Sequence, residues 1–105
     1  MAEDYSALVL PIVRRVTLSA TPDALTEVQL PTAATKVTFQ FIDNAGKYTF
    51  EGSDTAAIGS HYGSIAADAW IEIPLRGRNT GARTSVYFAS GTGSTVIEVH
   101  LDEDN

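Results

Sequence analysis

The sequence predicts an all-β domain: an antiparallel β-sandwich or small barrel of about seven or eight short strands. Three observations carry that expectation. Apolar and polar residues alternate with a period of two in seven separate runs, which marks strands with one dry face and one wet face. The runs are rich in Val, Ile, Thr, Phe and Tyr, side chains that suit a pleated, half-buried surface. Turn residues recur between the runs at spacings of about ten, the rhythm of sandwiches and small barrels.

Taken in order, Val16 and Leu18 alternate with Thr17 and Ser19, then Val28 and Leu30 with Glu27 and Gln29. Val37, Phe39 and Phe41 alternate with Lys36, Thr38 and Gln40, and Tyr48 and Phe50 with Lys47, Thr49 and Glu51. Ile71, Ile73 and Leu75 alternate with Glu72 and Pro74. The last two runs fall within Thr84 to Leu101, where Val86, Phe88, Ile97, Val99 and Leu101 take one parity and Tyr87, Glu98 and His100 the other.

The separators are turn chemistry. Thr21-Pro22-Asp23 and residues 31–35 divide the early runs, and residues 77–81 and 90–93 the later ones. Asp43-Asn44-Ala45-Gly46 reads as a tight hairpin in which Asn44 and Gly46 supply positive φ. The final two runs read as a second hairpin closed at residues 90–93. Between them, residues 53–69 read as a long connection between sheets, with one short strand near Ser64 and Ile65 and at most a helical turn over residues 54–58.

Residues 1–15 stand apart from the body at 16–101. Tyr5, Leu8 and Leu10 are apolar without tidy alternation, and Pro11 cannot sit in a central strand. The segment is either an edge strand or an arm lying on a neighbouring subunit. Residues 102–105 form an acidic tail containing Asp102, Glu103 and Asp104.

At 105 residues the chain has the size of one hydrophobic core. It contains no cysteine, which excludes disulfides, thiolate zinc sites and cysteine nucleophiles. A net charge of −6 opposes general binding to nucleic acid. The longest apolar stretch, residues 7–13, is far short of a membrane span. With Glu3 and Asp4 before it and Arg14 and Arg15 after it, it also makes a poor signal peptide. The expectation is a soluble, unprocessed protein.

Catalytic constellations are weak. His61 falls in the long connection and His100 on a polar strand face, with no metal-ligand spacing between them. Glu51, Asp54, Glu72 and Glu98 could pair as glycosidase carboxylates, but alternation sends each to solvent or to a turn. The glycine-rich pieces at 59–63 and 91–93 match no phosphate loop. The reading is therefore a non-enzymatic protein with no cofactor and no metal.

Binding surfaces are better represented. Trp70 and Tyr87 fall on wet parities, and with Tyr48 and Tyr62 they are candidates for a contact surface or a sugar platform. Arg76, Arg78 and Arg83 cluster in one loop of an acidic chain, where bidentate pairing with partner carboxylates is the natural use. Together with Tyr5, Leu8 and Leu10, these residues make up the expected partner-binding set.

The segments VTLSATPDALTEVQLPTAATKVTFQFIDNAGKYTFEG, WIEIPL and TSVYFASGTGSTVIEVHL, spanning roughly residues 16–101, resemble small virion proteins of tailed bacteriophages. The shared pieces are a strand ending at a Thr-Pro turn, a strand ending V-x-L-P, an aromatic strand with an Asn/Gly turn, and the closing V-Y-F-A-S-G-x-G-S-T-V-I-E-V. The resemblance implies a jelly-roll-like sandwich that decorates or cements an icosahedral head, binding between major capsid subunits, commonly as a homotrimer. It places the protein on the capsid surface of a virion assembled in the host cytoplasm, with no active site to transfer. Neck, tail and fibre-attachment proteins share the same β-rich, cysteine-free character. A carbohydrate-binding module is the alternative from another class.

Overall fold

Alternation with a period of two puts one side of each strand in contact with a core, and here two sheets share that core. The computed structural model describes residues 3–4, 12–30, 36–52, 56–74 and 84–102. Nine strands run in chain order: β1 (Glu3–Asp4), β2 (Ile12–Thr17), β3 (Thr26–Leu30), β4 (Lys36–Phe41), β5 (Gly46–Thr49), β6 (Gly63–Ile65), β7 (Trp70–Pro74), β8 (Thr84–Ala89) and β9 (Val96–Asp102).

The pairing is nested. β2 pairs with β9, β3 with β8, β4 with β7 and β5 with β6, all antiparallel. The nested ladder is then rolled so that β9 also pairs with β4, and β8 with β5. The result is two sheets, ordered β2-β9-β4-β7 and β1-β3-β8-β5-β6. Eight strands connected in this way make a jelly roll. β1 is an addition at the edge of the second sheet and forms a parallel pair, Glu3 opposite Val28 and Asp4 opposite Gln29. β2 crosses the position between residues 15 and 16 without interruption and is paired from Ile12 to Thr17.

This connectivity corrects both expected hairpins. β4 and β5 lie in different sheets, as do β8 and β9, so the turns at 43–45 and 90–95 are arches from one sheet to the other. Among the described strands, β5 and β6 are the sole consecutive pair that shares a ladder. Alternation specifies which side of a strand is dry, and in a sandwich the next strand can meet the same dry volume from the opposite sheet.

The turn backbone is corrected as well. Positive φ falls on Asp43 and Ser94, not on Asn44 or Gly46; short polar side chains tolerate that region. The glycines of these arches answer to close approach instead. A Cβ on Gly46 would run into the Phe41 ring, and one on Gly93 into the Ala20 carbonyl oxygen. The helical turn expected at 54–58 is also replaced. Leu25 N–H donates to Ala56 O at 2.7 Å, Ile58 N–H donates to Asp23 O at 2.8 Å, and Ala57 bridges to Ala24. Backbone partners across the chain hold residues 56–58 extended, while 53–55 lie outside the described residues.

The core is the sum of the dry parities. Val28, Val37, Phe39, Phe41, Val86, Phe88, Ile97 and Val99 are fully buried, with Leu30 and Leu101 beside them. Phe39 on one sheet meets Tyr48 and Phe88 on the other edge to face, with centroids 5.3 and 4.8 Å apart. Such pairs add about 0.5–1.5 kcal/mol each beyond area burial. The buried polar groups at the arch end are satisfied. Ser90 Oγ donates to Ala45 O at 2.8 Å, and Thr95 Oγ1 donates to Thr92 O at 2.7 Å, tying one arch to the other.

The edges of the first sheet are blunted. Arg14 sits on the core-facing parity of edge strand β2, opposite Val99, yet is exposed, with Nη1 donating to Val13 O at 2.9 Å. Pro74 lies on the other edge strand, β7. A charged residue on the core-facing parity of an edge strand and a proline both discourage edge-to-edge strand addition.

Candidate functional site

Two surface features stand out, one on the outer face of the first sheet and one at the open edge of the second. The outer face is laid out by register. Arg15, Glu98, Gln40 and Trp70 form one row across β2, β9, β4 and β7, and Val13, His100, Thr38 and Glu72 form the next. All carry the wet parity, because their sequence neighbours Val16, Ile97, Val99, Val37, Phe39 and Ile71 belong to the core or pack against it.

A continuous array runs across this face. Arg15 Nη2 donates to Glu98 Oε2 at 2.9 Å, and Glu98 Oε1 lies 2.7 Å from His100 Nε2. The Trp70 indole meets the His100 ring edge to face, with centroids 5.0 Å apart. The hydrogen bond from His100, followed by the charge and hydrogen bond of Arg15, holds the Glu98 carboxyl below the ordinary glutamate range, against the opposing effect of partial burial. Beside the array, Lys36 Nζ sits 3.7 Å from Glu72 Oε2.

Trp70 is positioned by the turn before it. Asp68 adopts positive φ, its N–H donates to Phe41 O at 2.8 Å, and its carbonyl accepts from Gln40 Nε2 at 2.8 Å. Its Oδ1 accepts from Asp43 N–H at 2.9 Å. The start of β7 is thereby fastened to the end of β4. Trp70 remains 49% exposed and Val13 51%, so two large apolar side chains stand at the two sides of a rigid polar sheet.

The opposite sheet is different. Leu25, on its outer parity, is only 1% exposed, and Gly52 passes close to Leu25 and Tyr87. Part of this outer face is therefore roofed by the β5–β6 connection. Tyr87 is half-buried there, its hydroxyl donating to Glu27 Oε2 at 3.3 Å, while Ser85 Oγ donates to the same oxygen at 2.7 Å.

The second feature is a cleft of about 540 Å³ where the end of β5 faces the start of β6. Tyr48, Phe50 and Tyr62 give it aromatic surface, and Glu51, Ser60 and His61 give it polar groups. The Tyr48 ring is held from below by Phe39, and the backbone of Gly63 passes so close that any side chain there would collide with it. Tyr62 is 43% exposed, with Lys47 Nζ 5.0 Å from its ring centroid. Lys47 also reaches Asp23 Oδ1 at 3.4 Å.

The expected aromatic platform is therefore divided: Trp70 lies on one sheet, Tyr87 on the other, and Tyr48 with Tyr62 in the cleft. Tyr5, Leu8, Leu10, Arg76, Arg78 and Arg83 lie outside the described residues. Of the four candidate carboxylates, Glu98 and Glu72 are engaged on one sheet, Glu51 borders the cleft on the other, and Asp54 is outside the described residues. Among the described residues no group of three or more His, Asp or Glu side chains is gathered for a metal ion.

Val13 and Arg15 are the residues that sequence reasoning missed. Parity places Glu98 with His100, but the pairing that brings Arg15 beside them joins opposite ends of the chain. No family model matches the chain, and no curated protein or solved structure matches it.

Proposed function

We propose that the protein is a non-enzymatic virion component of a tailed bacteriophage that cements the head by seating between major capsid subunits. The outer face of β2-β9-β4-β7 is the docking surface. The observation that carries this reading is that face itself: Trp70 and Val13 stand half-exposed on a sheet whose polar residues are already cross-linked by Arg15, Glu98 and His100. A rigid surface with an aromatic anchor and satisfied polar groups loses little side-chain freedom on docking. The blunted edges favour contact through the face rather than by strand addition.

The resemblance supplies the location and the homotrimer; the geometry supplies a surface suited to that use. A trimer brings three copies of the face to one particle, and many modest contacts then add to firm attachment by avidity. The experiment is cosedimentation of the purified protein with heads assembled from the major capsid protein of the same genome, together with its mass by light scattering. Saturable binding by a trimer supports the reading. Heads that take up none of the protein overturn the cementing role, and a monomer overturns the trimer.

A further inference from the structure

We propose that the cleft beside β5 and β6 binds a neutral hexopyranose unit of a glycan, an activity separate from docking through the opposite sheet. A pyranose ring presents a C–H face that water solvates poorly, bordered by hydroxyls that both donate and accept hydrogen bonds. Its binding site needs an aromatic surface for the first and convergent polar groups for the second. The cleft combines them: Tyr48 and Tyr62 supply the rings, while Glu51, Ser60 and His61 supply the polar groups.

The hollow is shallow and open to solvent, and its volume of about 540 Å³ falls within the roughly 300–1,000 Å³ of small-molecule sites. The wall is preformed. Tyr48 is pinned between Phe39 and the Gly63 backbone, and the Lys47 ammonium sits over Tyr62, an arrangement that restrains an exposed ring. Gly63 is the residue that permits this shape, since any side chain there would occupy the space of the Tyr48 ring.

Charge selects the class of sugar. Lys47 is paired with Asp23, and Glu51 is the acidic residue lining the cleft of a protein with net charge −6. An acidic sugar is repelled there; a neutral hexose is not, and its hydroxyls donate to the carboxylate.

The test is an array of neutral mono- and oligosaccharides built from glucose, galactose, mannose and N-acetylhexosamines, followed by titration of each positive compound by nuclear magnetic resonance. The expected result is binding of at least one neutral glycan, with shifts centred on residues 48–51 and 60–63. Tyr62→Ala lowers affinity by about tenfold or more and Tyr62→Phe retains it. Tyr62→Phe melts at the wild-type temperature, and Tyr62→Ala loses no more than the Lys47 contact, about 0.5–1 kcal/mol at an exposed site, and remains folded. His61→Ala, a second variant at the rim, also weakens binding. An array with no neutral glycan bound overturns the proposal, as do Tyr62→Ala and His61→Ala proteins that bind like wild type. Neither result bears on head attachment, which uses the other sheet.

Discussion

Trp70 and His100 sit two strands apart on one sheet face, with β4 between them, yet their rings meet edge to face at 5.0 Å. Two strand spacings amount to about 10 Å, so the indole lies across β4 to reach the imidazole. Trp70 is the single tryptophan in the chain, and its fluorescence reports this face alone. His100→Ala is expected to red-shift the emission and lower its anisotropy, since the indole loses its far support. The stability cost, read from a urea melt, combines the loss of one aromatic pair, about 0.5–1.5 kcal/mol, with the loss of the 2.7 Å contact to Glu98.

The Glu98 carboxyl is held below the ordinary glutamate range, chiefly by the His100 hydrogen bond and then by Arg15. A carboxylate whose folded pKa is lowered stabilises the protein above its unfolded value, about pH 4.3. That contribution fades as pH falls through the lower folded value. Glu98→Gln is therefore less stable than wild type near neutrality, and the difference shrinks steadily below about pH 4.3. Thermal melts over an acid pH series read the convergence; a gap that stays constant into strong acid would show that Glu98 is not held by these partners.

Gly93 and Gly46 test the arches. A methyl group on Gly93 meets the backbone carbonyl of Ala20, whereas one on Gly46 meets the Phe41 ring. Overpacking costs about 1–3 kcal/mol, and neither neighbour moves freely, one being backbone and the other a buried core ring. Both Ala variants should lose stability within that range in urea denaturation. Gly91→Ala, where a Cβ meets nothing within 4 Å, should lose far less.

Phe39 joins the sheets through edge-to-face contacts with Tyr48 and Phe88, and it is fully buried. Phe39→Ala is expected to cost about 3–5 kcal/mol, a large share of the stability of a domain this size. It should also loosen Tyr48, the floor of the cleft, so equilibrium denaturation and the nuclear magnetic resonance line widths of residues 48–51 should change together.

Most strands were legible in the sequence because each has one dry side; β1 and residues 12–15 of β2 lie outside the alternating runs, and in β5 Thr49 is buried although alternation puts it on the wet side. Val86 with Phe88 and Ile97 with Val99 are buried as alternation predicts, and Glu98 and His100 are turned outward. Partners were not legible. Thr84 to Leu101 reads as a hairpin, yet its strands pair with β3 and β5 on one sheet and with β2 and β4 on the other. Local turn chemistry is the same for a hairpin and an arch; the choice is made by contacts distant in the chain. The site divides along the same line: Trp70 announces itself by parity, whereas Val13 and Arg15 join it only through the β2–β9 ladder. The β5–β6 cleft depends on the ladder between Tyr48 and Gly63, which brings together residues separated by a connection without strand periodicity.

The most direct measurement is the affinity for undecorated heads of the wild type, Trp70→Ala and Val13→Asp, with Ser64→Ala on the other sheet as control. Docking through the outer face of β2-β9-β4-β7 predicts that both face variants bind at least about tenfold more weakly, while Ser64→Ala binds as wild type. Wild-type affinity in Trp70→Ala and Val13→Asp would contradict it.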